Sequence, residues 1–103
     1  MMNNDADTNK HFAAQTAWKQ ISVMCKMACG AREATVNGNV LMFKVGMKPM
    51  HYVRVTLDAT DTYTVEHFRL KRGSYAQISL AKSSDIYAEQ LSSVIRDQVD
   101  GNR

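Results

Sequence analysis

Proline occurs once in this chain, at Pro49, and glycine five times. That is too little of either for a low-complexity or linker-built protein. Cysteine occurs twice, as Cys25 and Cys29. A pair four residues apart on a helix points both thiols the same way, which suits packing and not a disulfide framework. A zinc site needs four ligands, and outside these two the chain offers His11, His51 and His67; no metal or other cofactor is expected. No apolar run approaches the roughly 18 residues of a membrane span. The opening MMNNDADTNK has neither a basic stretch nor an apolar core of a leader, so a cytoplasmic location with no membrane association is expected. There is no glycine-rich phosphate loop, no HExxH and no GxSxG, and so no recognised spacing for a catalytic nucleophile, base or metal.

What is present is ordinary for a folded protein: 45% apolar and 22% charged residues across 103 positions. That length holds one core, burying about two-thirds of the unfolded surface. The expected organisation is a tail over 1–8, one domain over 9–99 and a tail over 100–103. The net charge of +3 is unevenly spread. Residues 40–82 carry seven lysines and arginines against three acids, whereas residues 83–103 carry two against four. A basic strand region and an acidic C-terminal segment would orient an acidic partner.

Along the chain the period changes twice. Ala14, Trp18, Ile21, Cys25 and Ala28 form one helical stripe, widened by Phe12, Ala17 and Met24, which predicts a single helix from about Asn9 to a cap at Gly30. Thr8 or Asp7 stands where an N-cap is wanted. An Asn37-Gly38 turn signal follows, then alternating Leu41, Phe43 and Val45, then a break at residues 46–49. The stretch MHYVRVTLDATDTYTVEHFRLKRG, Met50 to Gly73, is the centre of the pattern: two alternating runs joined by a short polar turn. Its first run places Val53, Val55 and Leu57 on one face and Tyr52, Arg54 and Thr56 on the other. Its second run changes phase, because Tyr63 and Val65 share one parity and Phe68 and Leu70 the other. A bulge near Glu66-His67 would reconcile them by bringing Phe68 and Leu70 inward and Arg69 and Lys71 outward. A last strand is expected over Tyr75 to Leu80, with Ile78 and Leu80 inward. Then comes a helix capped by Ser83 or Ser84, with Tyr87, Leu91, Val94 and Ile95 on its apolar side. The fold class is α+β: an N-terminal helix, an antiparallel sheet of about four strands in meander order, and a C-terminal helix, both helices on one face.

HYVRVTLDATDTYTVEHFRLKRG, followed by Asp85-Ile86-Tyr87-Ala88-Glu89-Gln90-Leu91, resembles a family of small proteins from phages, prophages and plasmids. Its members share a YV(K/R)(I/V)TL strand, a turn, a YxVE strand ending in arginine, a glycine after a basic residue and a late (D/G)(V/I)YA(D/E)xL helix. The similarity spans most of residues 15–95, with an extra residue before Gly73 and a shorter loop at 46–49. It implies a mobile-element origin and the same α+β order, and brings no activity with it.

Individual chemistry-bearing residues have plain structural readings. Asp58 and Asp61 flank a turn, where aspartate is at home, and His51 and His67 fall on neighbouring strands where they can face each other. A catalytic pair at either place is the lesser reading, and the chain is expected not to be an enzyme. A partner-binding surface is the leading one, made of Met42, Lys44, Tyr52, Arg54, Arg69, Lys71, Arg72 and Tyr75. Met42, Tyr52 and Tyr75 would anchor a host or phage protein and the arginines give specificity, as an inhibitor of a host defence component would. The alternative partner is single-stranded nucleic acid, with cations on phosphates and a ring on a base; the absence of RNP-type aromatic spacing counts against a standard RNA-recognition module. The same face or a sheet edge would also serve a homodimer.

Overall fold

The computed structural model describes residues 15–46 and 50–101. Residues 15–20 are helical (α1) and the helix then breaks at Ile21-Ser22. A second helix, α2, runs Val23–Cys29. One continuous helix was expected here, and Ser22 explains the interruption. Its backbone is extended and its hydroxyl accepts a hydrogen bond from the Cys25 amide, so it caps α2 instead of continuing α1. The stripe survives the break as Ala17, Ile21, Cys25 and Cys29, all buried, with Trp18 packed on Phe43 at 5.1 Å between ring centroids. Met24, expected to widen it, is 77% exposed. Gly30 ends α2 as expected, in the left-handed region at φ 66°. The Ala14 and Phe12 positions and the Asp7 and Thr8 caps lie outside the described residues.

Five antiparallel strands follow in meander order, not four: β1 (Arg32–Asn37), β2 (Val40–Lys44), β3 (His51–Leu57), β4 (Tyr63–Leu70) and β5 (Gln77–Ile86). The additional strand is β1, formed because the Gly38-Asn39 turn folds residues 32–37 back on β2. Gly38 has the positive φ, 61°, that a two-residue hairpin loop asks of its first position. Ser83 and Ser84 lie within β5 and do not cap a helix. The chain turns at Tyr87 into a single 3-10 turn, Ala88–Gln90, and then α3, Leu91–Gly101. Asp100 and Gly101, expected in a tail, belong to its last turn.

Strand register decides the facing of everything that matters for binding. β3 and β4 pair without interruption from His51↔Arg69 to Leu57↔Tyr63. The bulge expected at Glu66-His67 is therefore absent from this pairing. The extra residues sit instead in β5, where Leu80 and then the Ser84-Asp85 stretch are skipped in the register with β4, and Asp85 takes φ 58°. Tyr63, Val65 and His67 thus share one face with Val53 and Val55, and Phe68 and Leu70 lie on the opposite one. Val53, Val55, Tyr63 and Val65 join Leu41, Phe43, Val45, Ile86 and the helical Ala17, Ile21, Cys25, Cys29, Leu91, Ile95 and Val99 in one hydrophobic cluster. The α3 side chain Gln98 ties helix to sheet by donating to the Val65 carbonyl and the Ser83 hydroxyl.

Candidate functional site

The sheet face opposite the cluster carries Met42 and Lys44 from β2, Tyr52, Arg54 and Thr56 from β3, and Thr64, Glu66, Phe68 and Leu70 from β4. Cross-strand pairs Met42↔Arg54, Lys44↔Tyr52, Tyr52↔Phe68 and Arg54↔Glu66 put these side chains side by side. At the centre, the Phe68 ring stacks on Tyr52 at 5.5 Å and 16°, and the Arg54 guanidinium lies over Phe68 at 4.5 Å. Arg54 also donates to Glu66 Oε1 at 3.2 Å and to Gln77 Oε1 at 2.6 Å. Phe68 is only 2% exposed although it is on this outer face, because Tyr52 and Arg54 cover it. A shallow hollow beside the stack is lined by Thr35, Asn37, Val40, Met42 and Arg54.

Of the eight residues expected to bind a partner, Met42, Lys44, Tyr52 and Arg54 share this face. The other four do not. Arg69 is paired with His51 on the opposite face and is exposed at its rim. Lys71, Arg72 and Tyr75 lie in the β4–β5 connection, where the Lys71 amide bonds the Ala76 carbonyl and the Tyr75 amide the Lys71 carbonyl. For Arg69 the physical reason is the missing bulge in β4: with regular register, odd-numbered residues of that strand cannot reach the outer face. Glu33, Glu66 and Phe68 were missed as members. Phe68 was legible from its parity with Glu66, and Glu66 from its position opposite Arg54. Glu33 lies 3.0 Å from Lys44 through an irregularity of β1 between Arg32 and Thr35, for which the sequence carries no signal.

The two acids change the electrostatics. Lys44 is paired with Glu33 and Arg54 with Glu66, so the face is much less basic than a count of its cations implies. The half-exposed Lys44–Glu33 pair contributes about 1 kcal/mol or less to stability.

On the other face, His67 is 1% exposed. Its Nδ1 is 3.4 Å from the Gln98 carbonyl and its Nε2 is 3.2 Å from His51 Nδ1. A carbonyl only accepts, so His67 Nδ1 bears the hydrogen, and Nε2 accepts from His51 Nδ1–H. Burial pushes the His67 pKa below its ordinary value, with a smaller opposing effect from the Gln98 carbonyl. Both ring nitrogens are engaged within the fold, so His67 is a packed structural histidine here. Asp58 accepts from the Thr64 hydroxyl at 2.7 Å, and Asp61 takes φ 61° in the β3–β4 turn; both aspartates shape that turn. The Cys25 and Cys29 sulfurs are 3.8 Å apart, and Cys25 Sγ donates to the Ser92 carbonyl. Burial raises the Cys25 pKa, which keeps it a thiol and a poor nucleophile. Among the described residues no cluster of three or more metal-ligating side chains occurs, and no helix is long and apolar enough to cross a membrane.

Fold and face together define a small α+β protein with a five-stranded antiparallel meander. Neither family models, nor curated proteins, nor solved structures contain a match to the chain.

Proposed function

We propose that this protein is a non-enzymatic accessory protein of a phage or other mobile element, and that it binds and modulates a host or phage protein through the outer sheet face. The helices then cover one side of the sheet and leave the other to a partner. The observation that carries the reading is the Tyr52–Phe68–Arg54 stack. Two aromatic rings and a guanidinium are held in register by Glu66 and Gln77. Aromatic and arginine side chains fixed in advance lose little entropy on docking and are the residue types that dominate protein interfaces.

The near-neutral balance of the face favours a protein partner over single-stranded nucleic acid, whose binding rests on uncompensated cations. Capture of partners from host lysate, with and without nuclease, separates the two. Retention of a protein after nuclease treatment, and its loss in Tyr52→Ala and Met42→Ala, is the expected result. Capture that vanishes with nuclease, together with salt-sensitive retention of single-stranded DNA or RNA by the purified protein, would transfer the face to nucleic acid.

A further inference from the structure

A second surface lies around α2 and shares no residue with the outer sheet face. Val23, Met24 and Met27 are 70%, 77% and 77% exposed on one seven-residue helix, an apolar patch that a soluble surface seldom leaves uncovered. Beside it runs a groove lined by Val23, Lys26, Met27, Gly30, Ala31, Arg32 and Gly46. Its floor is backbone: the Gly46 amide bonds the Cys29 carbonyl at 2.7 Å, and a Cβ on Gly30 would come within 3.2 Å of Gly46 N.

Arg32 closes the groove and is held in place. Its Nη1 donates to the Gly30 and Gly46 carbonyls, both at 2.9 Å. A guanidinium has five N–H donors, so two are spent on the fold and the Nε–Nη2 edge keeps three. That edge makes no hydrogen bond among the described residues. It is the fork that takes a carboxylate with two parallel bonds. The adjacent acid, Glu33, is engaged by Lys44 and does not neutralise it. The other charge on the groove is also a cation, Lys26, whose Nζ rests 4.1 Å from the Trp18 ring centroid. No acid occurs in α2 or among the lining residues.

The geometry points to a docking groove for an acidic, apolar segment of a partner protein. One carboxylate of that segment bonds the Nε–Nη2 edge of Arg32, and a neighbouring apolar side chain lies over the glycine floor against Val23 and Met27. Methionine suits such a surface because its flexible thioether moulds to different side chains. Charge selects this occupant over a second copy of the chain: α2 packed on α2 would bring Lys26 and Arg32 against their own counterparts.

Selection of a displayed random-peptide library on the immobilised full chain tests the assignment, since the library offers every side-chain chemistry without bias. Enriched peptides carry Asp or Glu next to Leu, Ile, Phe or Met. The affinity of one such peptide, followed by fluorescence anisotropy, falls about tenfold in Arg32→Gln through loss of a charge-assisted pair. It also falls severalfold in Met27→Gln, where an exposed side chain is changed and the fold has nothing to lose. The assignment is overturned if the library yields basic peptides or none, or if Met27→Gln leaves the affinity unchanged. It is equally overturned if sedimentation shows a dimer that Met27→Gln dissociates, or if the chain floats with anionic phosphatidylserine vesicles and selects no acidic peptide.

Discussion

His67 Nε2 lies 3.2 Å from His51 Nδ1 across the β3–β4 pair, and His67 is the buried partner. One hydrogen between the two ring nitrogens satisfies both while no more than one of the rings is protonated. Protonation of His67 would place a charge in a buried site beside His51, with the Arg69 cation carried opposite His51, and a second proton on the pair would set two N–H donors against each other.

Stability should therefore fall on mild acidification. The folded His67 pKa is depressed by burial below an unfolded value of about 6.5. Below that pH the unfolded chain binds a proton that the folded chain refuses. Stability is then full above about pH 6.5, and declines as pH falls toward the depressed folded value by up to about 1.4 kcal/mol per pH unit. Urea melts at about pH 7.5 and about pH 5.5 measure the slope. His67→Gln should be less stable at neutral pH and lose most of the difference between the two conditions. An unchanged difference would place the proton uptake on another group.

The cap at Gly30 allows a sharper test of packing than its dihedral alone. An L-residue in the left-handed region costs about 1–2 kcal/mol, and at φ 66° Gly30→Ala bears that cost. A Cβ here also meets Gly46 N at 3.2 Å, where the neighbour is backbone and yields little. Gly30→Ala should lose about 2 kcal/mol or more, a melting temperature lower by roughly 8 °C or more for a chain of this size. Gly30→Asn, which tolerates the dihedral but keeps the Cβ, should recover only part of the loss. Gly101→Ala, with open space around it, should be neutral or slightly stabilising.

Much of the sheet is legible in the sequence. β3 and β4 are the two alternating runs expected between Met50 and Gly73, and Gly30 and the Gly38 turn stand where the turn chemistry puts them. What failed did so for two physical reasons. Local signals compete: Ser22 lies in an unbroken helical stripe, yet its hydroxyl caps a new helix, and Ser83 and Ser84 read as caps while sheet pairing holds them in β5. The second reason is that an irregularity can be absorbed by either strand of a pair. The phase conflict around Phe68 is real, and two resolutions fit it: a bulge in β4, or an aromatic on the outer face with the bulges in β5. Only the partner strand decides between them. Arg69 and Lys71 were expected on the outer face through the first resolution, and the regular pairing of β4 with β3 leaves Arg69 on the other side.

That second resolution makes a prediction of its own. Phe68 belongs to the strand that supplies Val65 and His67 to the other face, and it is buried by Tyr52 and Arg54 instead of by the helices. Removing a fully buried phenylalanine costs about 3–5 kcal/mol in a closed core. Here the covering side chains are surface groups that can fold down into the gap, so Phe68→Ala should cost less, about 2–3 kcal/mol. The diagnostic part is the coupling. Arg54→Ala should cost about 1 kcal/mol in the parent chain through lost cover, cation–π contact and hydrogen bonds, and much less in Phe68→Ala, where the ring it covers is gone. A double-mutant cycle in urea should return a coupling of at least about 0.5 kcal/mol between Phe68 and Arg54. The same cycle between Val65 and Arg54, on opposite faces of the sheet, should be additive. Additivity at Phe68 and coupling at Val65 would mean that the aromatic faces the helices and that the β4 register is shifted by one.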